Sequence, residues 1–292
     1  MSEQPNFVDE PDQADVEEPG LGAKPAATEE PGSGAAEEPN AVRYERVGAA
    51  AVLTIDRPHR RNAVDGATAT RLHEAYLRFE ADDDARVLVL TGAGGVSFCA
   101  GADLKATDTM AGRLMSAEGP MGFTRLTPSK PAIAAISGFC LAGGLELALW
   151  CDLRIATEGS VLGYPERRWG VPLIDGGTQR LPRIVGLGRA LDLILTGRMI
   201  DAHEALAMGL LTEIVPAGAH LERALALAEG LARFPQRTML ADRRAAIEGL
   251  GMPLADGLAL EAQAGPEVFA DGALGAARFA AGEGRAGAGA GA

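Results

Sequence analysis

The sequence has 292 residues, enough to bury a full hydrophobic core in one large domain or two small ones. Hydrophobic residues make up 47% of it and charged residues 23%, a balance typical of a globular protein. No apolar run approaches the roughly 18 residues of a membrane span. No basic stripe with interleaved aromatic side chains is present, which argues against nucleic acid as the main partner.

The formal net charge of −13 is concentrated near the N-terminus. Residues 1–40 carry eleven acidic side chains against one base, Lys24, so the remainder is nearly neutral. This segment also contains six prolines and almost no large apolar residues, and burial cannot offset the entropy of ordering it. We therefore predict a disordered acidic tail over 1–40, with an interaction or solubilising arm as the alternative. Residues 281–292 are almost wholly Gly and Ala and are predicted to fray.

The three cysteines, Cys99, Cys140 and Cys151, are odd in number and have apolar neighbours. Buried thiols in a reducing cytoplasm explain them better than disulfides do. They lack CxxC spacing, and Ala207 stands where a zincin-like pattern beginning at His203 needs its second histidine. No metal site is expected.

In chain order, hydrophobic patterning predicts strands and helices that alternate in the first half of the chain and become mostly helical in the second. Residues 105–128 are weakly periodic and predict a mobile helical excursion, and residues 159–177 predict a Gly/Pro-rich loop. The pattern indicates one α/β domain with a helical C-terminal appendage. We expect these late helices to pack against a neighbouring subunit, which composition alone does not establish. The predicted strands are 49–55, 87–91, 132–137, 152–156 and 211–215, and the predicted helices are 65–81, 143–150, 188–196, 202–208, 218–233 and 236–249.

Two turns rich in small residues each follow a predicted strand. One spans residues 98–105, and the other, 138–144, runs into a helix whose N-terminus carries partial positive charge. Taken alone, the first needs no more than a tight turn at Gly101. Together the two turns could aim backbone N–H groups at a single oxygen, as an oxyanion hole requires.

Two glutamates stand out near these turns. Glu146 lies in an apolar helix, where a buried carboxylate must be paired, hydrogen-bonded or raised in pKa, and a salt bridge to Arg154 is the alternative. Glu166 lies in the predicted Gly/Pro-rich loop, where a solvated carboxylate is the default. Spacing alone leaves open whether they share one pocket. Arg60 and Arg61 form a local basic cluster, which fits either a solvated loop or a phosphate contact.

From Tyr44 to Phe279 the chain resembles the crotonase (enoyl-CoA hydratase/isomerase) superfamily. Short matches occur in the order and spacing of that family. They are Asp56-Arg57-Pro58 with Asn62-Ala63, Val89 to Gly92, Phe98 to Leu104, Lys130-Pro131, Gly138 to Glu146, Cys151-Asp152, Pro165-Glu166, Gly176 to Leu181 and Leu195 to Gly197.

The resemblance implies a spiral of ββα units over residues 41–235 and a helical trimerisation region over 236–280. It further implies a homotrimer or a dimer of trimers. Carried over residue by residue, the two oxyanion-hole amides fall on Ala102 and Gly143.

The resemblance also implies an enoyl-CoA hydratase, which adds water across the 2,3-double bond of a 2-enoyl-CoA to give a 3-hydroxyacyl-CoA. Glu146 would orient and deprotonate the water, and Glu166 would donate the proton that reaches the α-carbon. The coenzyme A contacts would come from the two loops that contain Arg60, Arg61, Ala102, Asp103, Leu104, Lys105 and Gly143. No separate cofactor is implied, because coenzyme A is part of the substrate.

Two alternatives stay open at this point: an enoyl-CoA isomerase on the same fold that uses one glutamate and no water, and a non-catalytic acyl-CoA-binding protein. Three features depart from the usual hydratase pattern. Trp169 adds bulk and Asp175 adds an acid near the expected acyl pocket, and the C-terminus lacks the frequent Lys-Arg-x-Pro ending.

Overall fold

In a computed structural model, which describes residues 41–282, ten strands form two sheets. The predicted acidic tail over 1–40 and most of the predicted frayed end lie outside the described residues. The larger sheet has the order β1-β2-β3-β5-β7-β10 and the smaller one β4-β6-β8-β9. The strands are β1 Val42–Val47, β2 Ala50–Ile55, β3 Val87–Gly92, β4 Ser97–Cys99, β5 Ala132–Ile136, β6 Phe139–Leu141, β7 Leu153–Thr157, β8 Val161–Gly163, β9 Met199–Asp201 and β10 Glu213–Val215.

Eight α-helices connect and cover these strands within the same range of residues. Short 3₁₀ helices lie at Pro58–Arg60, Thr107–Arg113 and Pro165–Trp169. The α-helices are α1 Gly66–Ala81, α2 Gly143–Trp150, α3 Gly177–Val185, α4 Leu187–Thr196, α5 Ala202–Ala207, α6 His220–Arg233, α7 Gln236–Gly249 and α8 Leu254–Ala280.

The larger sheet is buried on both faces. Its strands from β2 to β10 pair in parallel, and only the β1–β2 pair is antiparallel. Val52, Val89 and Ile133 point to the face covered by α6, while Leu53 and Leu90 point to the main core with α1, α2 and the smaller sheet. Burial on both faces explains why these strands are continuous apolar runs rather than alternating ones.

From β3 to β8 the chain alternates between the two sheets, one strand in each. Each turn of this path adds a strand to both sheets, and α2 completes the turn formed by β5 and β6. This is the predicted α/β spiral of ββα units. In the smaller sheet β4, β6 and β8 are parallel neighbours, so their carboxyl ends lie at one edge.

Several elements were not predicted from the sequence. Strands β4, β6, β8 and β9 have three residues each, too few to show a period of two. The predicted loop over 159–177 contains β8 and a 3₁₀ helix, and the predicted excursion over 105–128 contains the 3₁₀ helix Thr107–Arg113. These short elements are defined by pairing and packing with neighbours distant in sequence.

Two helices fill the C-terminal region, as the sequence predicts. Helices α7 and α8 pack against each other, and α8 leaves large apolar side chains exposed, among them Leu258, Phe269 and Leu274. The predicted role of this region in trimer formation stays a prediction. Among the residues described, no helix is long and apolar enough to cross a membrane.

Candidate active site

Three turns meet at the carboxyl edge of the smaller sheet. The segment after β4 contains Ala102, the segment after β6 starts α2 at Gly143, and the segment after β8 contains Glu166. Because neighbouring parallel strands end at the same edge, these segments converge although up to 64 positions separate their residues. All three line one cavity.

The cavity has a volume of about 400 Å³. Two carboxyl groups of interest, those of Glu146 and Glu166, are in its wall, and so is Asp175. Most of the remaining wall is apolar, with the side chains of Leu104, Met110, Ala111, Leu114, Pro120, Met121, Trp169, Val171, Pro172 and Ile174.

The first turn presents the backbone of Ala102 to the cavity. Val64 forms an isolated parallel bridge with Ala102, in which the Val64 N–H donates to Gly101 O and the Asp103 N–H donates to Val64 O, each at 2.8 Å. The carbonyl group of Gly101 and the N–H of Ala102 belong to one trans peptide group and point in opposite directions. The N–H of Ala102 therefore points away from Val64, on the side open to a ligand.

The second turn presents the N–H of Gly143. Gly143 is the first residue of α2, and the N–H groups of a first helical turn have no acceptor within the helix. The preceding residue, Ala142, has φ 54° and ψ −129°, a conformation that costs a non-glycine residue on the order of 1–3 kcal/mol. Strain of this size is typical of functional turns, and here it sets the direction of the helix start.

The two turns touch each other, and glycines make the contact possible. A Cβ on Gly101 would lie 2.9 Å from the Gly143 nitrogen, and one on Gly144 would overlap the carbonyl oxygen of Cys99. The Ala102 and Gly143 amides therefore belong to one compact unit, as the predicted oxyanion hole requires.

Glu146 is buried, with 2% of its surface exposed. Its Oε1 accepts hydrogen bonds from the backbone N–H groups of Asp175 at 3.0 Å and Gly177 at 2.7 Å. Burial, reinforced by the nearby charge of Asp175, raises the pKa of Glu146 to about 8. The alternative salt bridge is wrong, because Arg154 donates instead to the carbonyl oxygens of Leu210 and Cys151.

Glu166 is also buried, with 6% of its surface exposed, so the solvated carboxylate expected by default is wrong. Within the described residues neither of its carboxylate oxygens has a hydrogen-bond partner. Burial raises the pKa of Glu166 to about 7. An unpartnered carboxyl group in a cavity wall is available to a water molecule or a substrate.

Comparison with known proteins decides the family. The model of the enoyl-CoA hydratase/isomerase family matches residues 45–280. The chain belongs to this family. The resemblance to the crotonase superfamily is confirmed.

Relatives and solved structures agree with this assignment. The chain is 39% identical over 212 residues to (E)-benzylidenesuccinyl-CoA hydratase of Thauera aromatica, covering 71% of this chain and 82% of the relative. It is 37% identical over 236 residues to the short-chain-enoyl-CoA hydratase of Clostridium acetobutylicum, covering 80% and 90%. The crystal structure of an enoyl-CoA hydratase from Mycobacterium marinum superposes with a TM-score of 0.78 at 37% identity, covering 82% of this chain and 95% of the other.

In this member of the enoyl-CoA hydratase/isomerase family, five predicted site residues line the cavity: Ala102, Leu104, Gly143, Glu146 and Glu166. Their catalytic and binding roles stay predictions. The other predicted contacts are Arg60, Arg61, Asp103 and Lys105, which are not among the residues that line it.

The side chain of Asp103 is buried. It pairs with the guanidinium group of Arg57 at 3.4 Å, and Arg57 pairs with Asp65 at 2.9 Å. This buried cluster holds the first turn against the start of α1, so Asp103 supports the site instead of lining it. Arg60, Arg61 and Lys105 are exposed, and Arg61 lies over the ring of Phe139 at 5.2 Å.

Sequence reasoning missed the residues that hold the site together. The Asp-Arg-Pro motif could have pointed to Arg57 as a residue that supports the site. A buried arginine needs acidic partners, and Arg57 has them in Asp65 and Asp103. No sequence signal identifies the amides of Asp175 and Gly177 as partners of Glu146, since they lie 29 and 31 positions away. Trp169 and Asp175, two of the three departures from the hydratase pattern, both line the cavity.

Proposed function

We propose that this protein is an enoyl-CoA hydratase that uses Glu146 and Glu166 as its acid–base pair. One observation carries the proposal: two buried carboxyl groups with raised pKa values share a cavity with two turns that present free backbone amides. The family and the named hydratase relatives supply the reaction class. The cavity that these groups share is the proposed place of the reaction.

The first step is polarisation of the thioester. The N–H groups of Ala102 and Gly143 donate hydrogen bonds to the thioester carbonyl oxygen, which gains negative charge as water attacks the β-carbon and an enolate forms. Because these donors are fixed before the charge develops, they stabilise the transition state more than the ground state. Loss of one such donor typically costs on the order of 3 kcal/mol of barrier.

The second requirement is one base and one acid. With pKa values of about 8 for Glu146 and about 7 for Glu166, the two carboxyl groups hold about one proton between them in mildly alkaline solution, and before substrate binds that proton lies mainly on Glu146. The pair therefore works as the resemblance implies once the shared proton has passed to Glu166 in the substrate complex. In the assignment that the resemblance implies, Glu146 accepts a proton from water as the C–O bond forms. Glu166 then donates its proton to the α-carbon as the enolate collapses.

No separate cofactor takes part in this scheme, since water, thioester and two carboxyl groups complete the balance of atoms and protons. The coenzyme A moiety is proposed to contact the exposed side chains of Arg60, Arg61 and Lys105, whose positive charges suit its phosphates.

We further propose a homotrimer or a dimer of trimers, supported by the apolar residues exposed on α8, and a cytoplasmic location, supported by three free, buried cysteines. Light scattering of the purified protein tests the assembly.

The direct test of the reaction compares 2-enoyl-CoA with 3-enoyl-CoA substrates. Faster turnover of the 2-enoyl thioester, with a 3-hydroxyacyl-CoA product, supports hydration. Faster conversion of the 3-enoyl thioester would identify an isomerase instead.

A single substitution tests the second acid. Glu166→Gln removes the proton donor while keeping the size of the side chain, so crotonyl-CoA hydration is expected to fall by at least about 100-fold. Glu158→Gln, at an exposed position after β7, is the matched control and is expected to keep the parent rate. Hydration by Glu166→Gln at the parent rate would remove Glu166 from the mechanism.

A further inference from the structure

A third carboxyl group, that of Asp175, lies in the cavity wall, and the acid–base scheme leaves it without a role. Asp175 is 4% exposed, and its amide donates to Glu146 Oε1 at 3.0 Å. Its carboxylate Oδ1 accepts hydrogen bonds from the Met121 N–H at 3.0 Å and from the hydroxyl of Thr124. One residue thus contacts two separate parts of the site.

The contact with Met121 extends to the oxyanion turn. The sulfur of Met121 lies 3.1 Å from the point where a Cβ on Gly143 would stand, so Met121 packs directly against the residue that presents the second amide. Residues 119–126 contain Gly119 and Gly122, both with positive φ, and no α-helix or strand of their own. Their position therefore depends on hydrogen bonds such as the one from the Met121 N–H to Asp175.

A second set of hydrogen bonds, made by Arg180, holds Asp175 itself in place. Arg180, in α3, donates to the carbonyl oxygen of Asp175 at 3.0 Å and to that of Thr124. The loop before α3 and the segment 119–126 are thereby joined at two points, one through a carboxylate and one through a guanidinium group.

We propose that Asp175 is a positioning residue of the hydration site, which fixes Glu146 through its amide and fixes Met121, behind the Gly143 amide, through its carboxylate. The inference rests on the proposed hydratase function and assigns to that site a residue absent from its acid–base pair. Because the carboxylate of Asp175 is close to Glu146, its negative charge also disfavours ionisation of Glu146.

Four titratable or charged groups face Glu146 from the elements packed against it, and they differ in their effect on its ionisation. The carboxyl groups disfavour its ionisation and the arginine favours it, whereas the tyrosine, whose own pKa is raised by burial, is uncharged where Glu146 titrates. They are Asp175 in the loop before α3, Glu166 in the 3₁₀ helix after β8, Tyr164 before that helix, and Arg180 in α3.

Two substitutions separate the roles of geometry and charge. In Asp175→Asn the amide oxygen can still accept from Met121 and Thr124 but the charge is gone, so we expect most of kcat to remain and the alkaline limb of the pH–rate profile to move down by about one pH unit. In Asp175→Ala the hydrogen bonds from Met121 and Thr124 to the carboxylate are lost while the backbone contacts with Glu146 and Arg180 remain, and we expect kcat to fall about 10- to 100-fold with a smaller change in KM. Asp192→Asn, a surface partner of Arg198, is the control for loss of an acid elsewhere.

A measurement without turnover keeps this test separate from that of the reaction. With ¹³C-labelled glutamate, the carboxyl resonance of Glu146, assigned by its absence in Glu146→Gln, is titrated in the parent and in Asp175→Asn. A midpoint lower by about one pH unit in the variant supports the inference even if no enoyl-CoA is hydrated. An unchanged midpoint, or parent kcat in Asp175→Ala, would overturn it.

Discussion

At the scale of single residues, the site depends on keeping two carboxyl groups out of water. Glu146 meets this condition by accepting two backbone hydrogen bonds on one oxygen, which leaves the other, Oε2, with no hydrogen-bond partner among residues 41–282. Glu166 meets it with no partner at all in that range. Burial raises both pKa values, although Arg180 near Glu146 and Arg167 near Glu166 act in the opposite direction, and so makes proton exchange near neutral pH possible.

Burial of Glu146 is expected to lower the stability of the fold as pH rises. Its pKa is about 8 in the folded protein against 4.5 ordinarily, so the folded form retains a proton that the unfolded chain has released. The free energy of unfolding of the parent should therefore fall, relative to that of Glu146→Gln, from about pH 5 to about pH 8. The difference is on the order of 3 kcal/mol, since one pKa unit corresponds to about 1.4 kcal/mol.

Urea unfolding at pH 5 and pH 8 checks this prediction. The Gln side-chain carbonyl can still accept hydrogen bonds from the N–H groups of Asp175 and Gly177. The local geometry is therefore kept, while catalysis of enoyl-CoA hydration is lost. A parent that gains stability relative to the variant between these two pH values would contradict the buried, protonated state of Glu146.

The same two carboxyl groups set the pH dependence of turnover. Below about pH 7 both are protonated and no base remains, whereas above about pH 8 both are ionised and no acid remains. We therefore expect kcat/KM for a 2-enoyl-CoA to follow a narrow bell centred between these values. Stopped assays in constant-ionic-strength buffers check it, and a flat profile from pH 6 to pH 9 would contradict the paired roles.

At the scale of elements, three parallel three-residue strands determine which residues meet. Strands β4, β6 and β8 bring the two turns and Glu166 to one edge, and the contact between the turns leaves no room for side chains at Gly101 and Gly144. The Gly-rich turns and the helix carrying Glu146 could be predicted from sequence. The pairing of such short strands could not, because their register is defined only by neighbours 22 to 42 positions away and not by local periodicity.

This close packing predicts unequal effects of the same substitution in two helices. Gly144→Ala in α2 places a methyl group on the carbonyl oxygen of Cys99, and we expect a loss of several kcal/mol in the free energy of unfolding and of most activity. Gly188→Ala in α4 meets no atom within 4 Å and should be neutral or stabilising by up to about 1 kcal/mol. Thermal unfolding compares them, and equal effects would contradict the close contact of the two turns.

At the scale of the whole molecule, the spiral and the C-terminal helical pair explain why the family could be recognised from sequence. The matched motifs are the turns, which glycine and the buried Arg57 cluster constrain, so their residues are visible as short patterns. Exposed residues such as Arg60, Arg61 and Lys105 carry no comparable constraint, and their predicted contact with coenzyme A stays a prediction. Asp103 pairs with Arg57, and its predicted contact with the substrate likewise stays a prediction.

The acidic segment 1–40 bears on the non-catalytic alternative. All residues of the proposed site, including the proposed coenzyme A contacts Arg60 and Arg61, lie beyond residue 40. Removal of residues 1–40 is therefore expected to leave kcat within about twofold of that of the full chain, because the interactions that stabilise the transition state are all retained. A steady-state assay of the truncated chain checks it. Loss of turnover on truncation would assign the segment a part in the active protein.

Transfer of oxygen from water to the substrate tests the central claim most directly. When a 2-enoyl-CoA is incubated with the protein in H₂¹⁸O, the account predicts a 3-hydroxyacyl-CoA with one ¹⁸O at the β-carbon, and no such product with Glu146→Gln or Glu166→Gln. Mass spectrometry of the thioester gives the answer. A product that carries no oxygen from the solvent, or equal labelling by the two variants and the parent, would contradict hydration by this pair of glutamates.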